Sequence, residues 1–118
     1  MKFKEIFATT ASLAIYDNTR NNVSAGQHLC KLTEEVGELA QEVNKTIGRK
    51  TKRVDETDES IRANILEEGA DVIQCVIAIL ASKEISFDEL KESLCKKNIK
   101  YSKGLGIYKE ESDESLEF

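Results

Sequence analysis

Two stretches of this sequence carry the same set of carboxylates. Glu34, Glu35 and Glu38 stand in the first, and Glu67, Glu68 and Asp71 in the second, at one constant offset that also maps Gln41 onto Gln74 and Val43 onto Val76. At about 100° per residue, Glu35 falls roughly 80° from the centre of its helix's apolar seam and Glu38 roughly 140°, in the same sense. On the second stretch Glu68 falls about 45° and Asp71 about 105° from the seam, again on one side. Each helix therefore holds two carboxylates one turn apart beside its apolar face. If the seams pack together, the two pairs converge at the edge of the core. Converging carboxylates repel, and a hard divalent cation that takes oxygen ligands relieves the repulsion. A di-iron bundle would need Glu-x-x-His on two helices, and the one histidine, His28, lies outside such a motif.

Four helical segments can position these groups. The first covers about 3–16, with Phe3, Ile6, Phe7, Leu13 and Ile15 as inward candidates, and a polar turn over 17–23 follows it. The second opens at Ser24, where Ser24 and Gln27 fit a capping box. Its seam is Leu29, Leu32, Val36, Leu39, Val43 and Ile47, and Gly48 ends it. A connection, basic and then acidic, runs over 48–57. Asp58 and Glu59 fall in the first turn of the third helix, at its positive dipole end. The seam of that helix is Ile61, Ile65, Val72, Val76 and Ile79. From Val72 to Leu80 nearly every face is apolar, which predicts burial on several sides, in a bundle centre or at a subunit interface. Ser86 and Glu89 fit a second capping box and open the fourth helix, lined by Phe87, Leu90, Leu94 and Tyr101. The architecture expected is an all-α four-helix bundle, oligomeric, with one domain over 1–108 and an acidic, mobile tail over 109–118.

Composition narrows the classes. The chain has 118 residues, no Pro, no Trp, six Gly and a net charge of −5. That supply of turn residues is poor for an all-β protein. The acidic balance argues against a nucleic-acid polymer as partner. Cys30, Cys75 and Cys95 match no zinc or disulfide spacing, which points to reduced thiols and a cytoplasmic setting. The N-terminal stretch lacks the apolar core of a signal peptide, and no run is long enough to span a bilayer.

The segments Lys31-Leu32-Thr33-Glu34-Glu35-Val36-Gly37-Glu38-Leu39 and Glu67-Glu68-Gly69-Ala70-Asp71-Val72 resemble the E-E-x-x-E and E-x-x-D motifs of the MazG-like all-α nucleoside triphosphate pyrophosphohydrolases. The resemblance covers about 24–104. It implies a Mg²⁺-dependent split of a nucleoside triphosphate into monophosphate and pyrophosphate, with Mn²⁺ able to substitute. It implies Glu35, Glu38, Glu68 and Asp71 as metal ligands. Glu34 becomes a group outside the ligand sphere or the base that orients the attacking water, with Glu35 also counted as catalytic. Lys96, Lys100 and Lys103, on one face of the fourth helix, resemble the basic stretch that contacts triphosphate in this family. Arg49, Lys50, Lys52 and Arg53 form a further cationic patch. Gln27 and His28 are the base-binding candidates. Clearance of nucleotides is the role expected, on a homodimer or homotetramer. Phosphoribosyl-ATP pyrophosphohydrolase activity and a non-catalytic helical interaction module are the alternatives.

Overall fold

Local hydrogen bonds set where three of the four helices begin. Helix α2 (Ala25–Thr46) opens on a complete capping box: Ser24 Oγ accepts from the Gln27 amide at 3.2 Å, and Gln27 Oε1 accepts from the Ser24 amide at 2.7 Å. Helix α3 (Asp58–Ser82) opens on a reciprocal Thr57–Ser60 box that the sequence reading did not identify. Helix α4 (Phe87–Gly104) makes half of its expected box, with Ser86 Oγ accepting from the Glu89 amide at 3.2 Å. Helix α1 (Phe3–Arg20) begins at Lys2 with no side-chain cap. It runs one turn further than expected, to Arg20, and the chain then reverses through Asn22 at φ 55°. Gly48, at φ 73°, supplies the left-handed residue just past the end of α2.

The computed structural model describes residues 1–106, and the all-α expectation agrees with it: four helices and, among the described residues, no strand. The tail over 109–118 and the domain boundary before it lie outside the described residues. No described helix is long and apolar enough to cross a membrane.

Helices α2 and α3 form the principal pair, α1 lies against α3, and α4 lies against α1 alone. The turn that feeds α3 is tied down by charge. Lys45 Nζ lies 2.6 Å from Glu42 Oε2 and 2.8 Å from Glu56 Oε2. Asn64 Nδ2 donates to Glu42 Oε1 at 2.9 Å, and the Arg53 amide donates to Glu56 Oε1 at 2.8 Å. These bonds join the end of α2, the connection and the start of α3, and so fix the register in which the two acidic stretches face each other. The cationic patch of the connection is engaged here as well. Lys50 bonds Gln41, Lys52 pairs with Asp58, and Arg53 pairs with Asp55 and Glu56.

Packing of α1 corrects the sequence reading. Its buried residues are Phe7 and Ala14, whereas Ile6, Leu13 and Ile15 are exposed. Ala11 and Ala14 meet Ala78 and Ala81 of α3. Small side chains at a contact let two helices approach closely, and the large neighbours are turned to the flanks. Phe3 and Phe7 pack on Phe87, with ring centroids 6.1 and 5.5 Å apart, and this joint holds α4.

The seams are covered less than their spacing predicts. Ile61 and Ile77 are buried on α3, but Leu29, Val36, Val43 and Ile47 of α2 remain exposed, as do Ile73 and Val76 of α3. Leu94 and Tyr101 of α4 are exposed too. The cause is the packing order: among the described helices α4 contacts only α1, so none of them lies over the outer part of the α2 seam.

Ile61, 1% exposed, is the fully buried anchor of α3. Truncation to alanine should cost about 2–4 kcal/mol of unfolding free energy in a urea titration. The fully exposed Val54 changed to alanine should stay within about 0.5 kcal/mol. Equal effects at the two positions would contradict this core.

Candidate metal centre

The register set by the charged joint brings the two acidic stretches together. One carboxylate oxygen each from Glu35, Glu68 and Asp71 can be chosen so that all lie within 4.8 Å of one another. Glu35 is the buried member, at 5% exposure, on the face of α2 against α3. An ionised carboxylate is costly to bury unless it is paired. Its partner is Lys31, one turn earlier, with Nζ 3.0 Å from Oε1. Glu35 Oε2 and Glu68 Oε2 are both buried and accept no hydrogen bond.

The two central carboxyls are driven apart in acidity. The hydrogen bond from Lys31 is the main cause holding Glu35 below the ordinary carboxylate range, against its burial. Burial first, then the hydrogen-bonded Glu35 and Glu38, push Glu68 up to about 7. Crowded carboxylates resist ionising together, so Glu68 holds its proton up to about pH 7.

Glu38 is exposed and stands outside the tight three-residue cluster, yet it is close enough to Glu68 to raise that group's pKa. Glu34 is exposed at the rim, with Lys31 Nζ 3.7 Å from its Oε2. His28 lines the same cleft as Glu35 and Asp71, and its Nε2 lies 2.9 Å from the side-chain amide of Asn18 on α1. Gln27 commits its side-chain oxygen to the helix cap and does not line the cleft. Lys96, Lys100 and Lys103 are exposed on α4, and none of them lines the cleft. Lys96 pairs instead with Glu92 at 2.9 Å. The reason is again that α4 packs on α1 and not on the acid-bearing pair.

The cleft opens between α1 and α2, which both lean on α3 and touch each other through the His28–Asn18 contact. It has a volume of about 430 Å³ and is lined by residues of all three helices, among them Leu13, Asp17, Lys31 and Cys75. The alanine contact forms one wall, through Ala14 and Ala78. Lys31 and Asp17 are site residues that sequence reasoning missed. For Lys31 a signal was present: it precedes a seam-edge glutamate by four residues, so the two must meet on one helix face. Asp17 carries no such signal, since only the packing of α1 places it there.

The donor set fits a hard divalent cation. It is all oxygen, it gathers at one point, and two of its buried oxygens have no hydrogen-bond donor. The fold and this cluster together define an all-α protein with a carboxylate cluster that could hold a cation beside a cleft between its first three helices. The family model described as the MazG nucleotide pyrophosphohydrolase domain matches residues 25–105. The chain belongs to this family, whose domain accounts for α2, α3 and α4. It is also similar to the uncharacterized protein YpjD of Bacillus subtilis (strain 168), 38% identical over 69 residues. That match spans 58% of this chain and 59% of the relative's length. No solved structure matches the chain.

Glu68 gives the centre a pH signature. Its folded value of about 7 lies above the ordinary 4.5, so the folded protein holds the extra proton between those values. Stability from this group is full below about pH 4.5 and is lost as the pH rises through about 7. Glu35, held low, acts in the opposite sense and only below its ordinary value. The melting temperature of chelator-treated protein should therefore fall between about pH 5 and 7.5, and Glu68→Gln should flatten that slope. A slope unchanged by the substitution would remove Glu68 as its source.

Proposed function

We propose that this protein is a divalent-metal-dependent nucleoside triphosphate pyrophosphohydrolase, acting on (d)NTPs to clear unwanted nucleotides. The observation that carries the reading is the convergence of Glu35, Glu68 and Asp71, with buried unpartnered oxygens, at a cleft in a MazG-family chain. In the reaction, water adds to the α-phosphorus and the bond to the α–β bridging oxygen breaks. The products are the monophosphate and pyrophosphate. A Mg²⁺ or Mn²⁺ ion held by Glu35, Glu38, Glu68 and Asp71 would polarise the α-phosphate and lower the pKa of a bound water.

The remaining work falls to the chain's own groups. Burial of Glu35 against α3 fixes the direction from which its carboxylate acts, and Glu68 would release its proton to solvent when a cation is bound. Glu34, at the rim beside Lys31, is suited to orient the attacking water. His28, tied to Asn18 at the other end of the cleft, is in place to meet a base or sugar edge. From Glu35 to His28 is seven residues of α2, or about 10 Å of helix rise. That is the order of the separation between the α-phosphate and the base of a nucleotide.

We further propose that the working unit is a homodimer or homotetramer. The outer α2 seam, with Leu29 and Ile47 more than half exposed, is more apolar surface than a monomer of this size keeps in contact with water. In such an assembly the α4 lysines of a neighbouring copy would supply the phosphate contacts that one chain does not bring to its own cleft.

Two measurements test these statements. Purified protein should release pyrophosphate and monophosphate from at least one member of a panel of common NTPs, dNTPs and phosphoribosyl-ATP, read by chromatography. Glu38→Gln and Asp71→Asn should each lower that rate at least about 100-fold. Diphosphate plus phosphate as products, or variants of full activity, would refute the assignment. Light scattering on the same sample should give at least twice the chain mass of 13.2 kDa, and a monomer would refute the assembly.

A further inference from the structure

Lys31 stands out once the centre is described. An i,i+4 pair with lysine first is the weaker order for supporting a helix, so helix stability does not account for it. Its partner is unusual: the Glu35 side chain is 6% exposed, whereas that of Lys31 is 59% exposed. A buried anion is thus neutralised by a cation whose stem lies in solvent and whose ammonium reaches both Glu35 and Glu34. Lys31 also lines the cleft, together with Asp71 and Gln74 from the opposite helix.

Glu35 belongs to the three-carboxylate cluster as well. Lys31 and a divalent ion therefore draw on one carboxylate. A unit positive charge 3.0 Å from Oε1 repels a second cation placed on the same group, and the repulsion is strong in a partly buried setting. Once a divalent ion takes over the neutralisation of Glu35, the ammonium keeps only its longer, exposed contact to Glu34, while its side chain still lines the cleft. The next concentrated negative charge there is the triphosphate of a bound nucleotide.

We infer that Lys31 is an exchangeable counter-ion: it neutralises Glu35 until a divalent cation binds, and is then handed to the substrate's phosphate oxygens as a catalytic cation. This rests on the function proposed above and adds to it a residue outside the four carboxylates. The hand-off links the two ligands. Metal entry frees the lysine for the nucleotide, and the nucleotide, by holding the lysine, favours metal entry. It also gives Lys31 opposite effects on two observables, which a surface ion pair would not have.

The test is a Mn²⁺ titration of chelator-treated protein without nucleotide, followed by electron paramagnetic resonance, alongside steady-state turnover. Lys31→Gln and Lys31→Met should each bind Mn²⁺ about 2- to 5-fold more tightly, the factor expected for removing one partly exposed pair. Both should lose about 100-fold in kcat at saturating metal, with an unchanged far-UV circular dichroism spectrum at the assay temperature as the folding control. Lys31→Arg keeps a cation at the same place and should return both quantities towards wild type. Unchanged or weaker Mn²⁺ binding in the Gln and Met variants overturns the exchange. Tighter binding with undiminished kcat overturns the hand-off. A wild type that turns over no nucleotide overturns the proposed function and the hand-off together, whereas an active wild type with variants failing either arm overturns this inference alone.

Discussion

Burial of the Glu35 carboxylate is the constraint on which the rest of the molecule turns. A negative charge at a helix–helix interface must be neutralised, and two arrangements around it do so. Lys31 reaches it from one turn earlier on α2. Glu68 of α3, its pKa pushed up to about 7, holds a proton beside Glu35 of α2 below that pH. Asp71 stands close enough that a single oxygen-seeking cation could replace both devices. On the function proposed, the site would pass between a protonated, lysine-paired form and a cation-bound form, which would differ in charge at the same few atoms.

A second charged joint, far along the same two helices, makes that balance possible. Lys45, Glu42, Glu56 and Asn64 lock the α2–α3 connection. A slip of one residue in this antiparallel pair would rotate Glu35 away from Glu68 by about 100°. The alanine contact of α1 on α3 does complementary work. It brings α1 close to one side of α3 and leaves a gap towards α2, which becomes the cleft. The carboxylate cluster and the cleft beside it thus arise from two different packings on the same helix.

Some of this was legible in the residues. The acidic stretches, their common offset and their side of the seam followed from spacing alone, because an α-helix converts sequence distance into angle with little freedom. The capping boxes at Ser24 and, in part, at Ser86 were legible for the same reason, since the partners are three residues apart. Thr57 escaped notice because its partner is a serine and not the usual Glu or Gln. The large residues of α1 were misplaced because a close alanine contact reverses the usual rule that the biggest side chains face inward. The lysine row on α4 was regular, but its regularity says nothing about which helix it faces.

The sequence by itself determined the helices, their starts and the angular position of each carboxylate, because those depend on neighbours within a turn or two. Tertiary structure alone decided that Glu35, and not Glu38, is the buried carboxylate. It decided that Asp17 and His28 share a cleft with Asp71, and that α4 leaves the α2 seam uncovered. The reason is physical. Periodicity fixes directions around one helix axis, whereas burial, proton sharing and clefts depend on the distance between axes, and that distance is set by contacts between residues far apart in the chain.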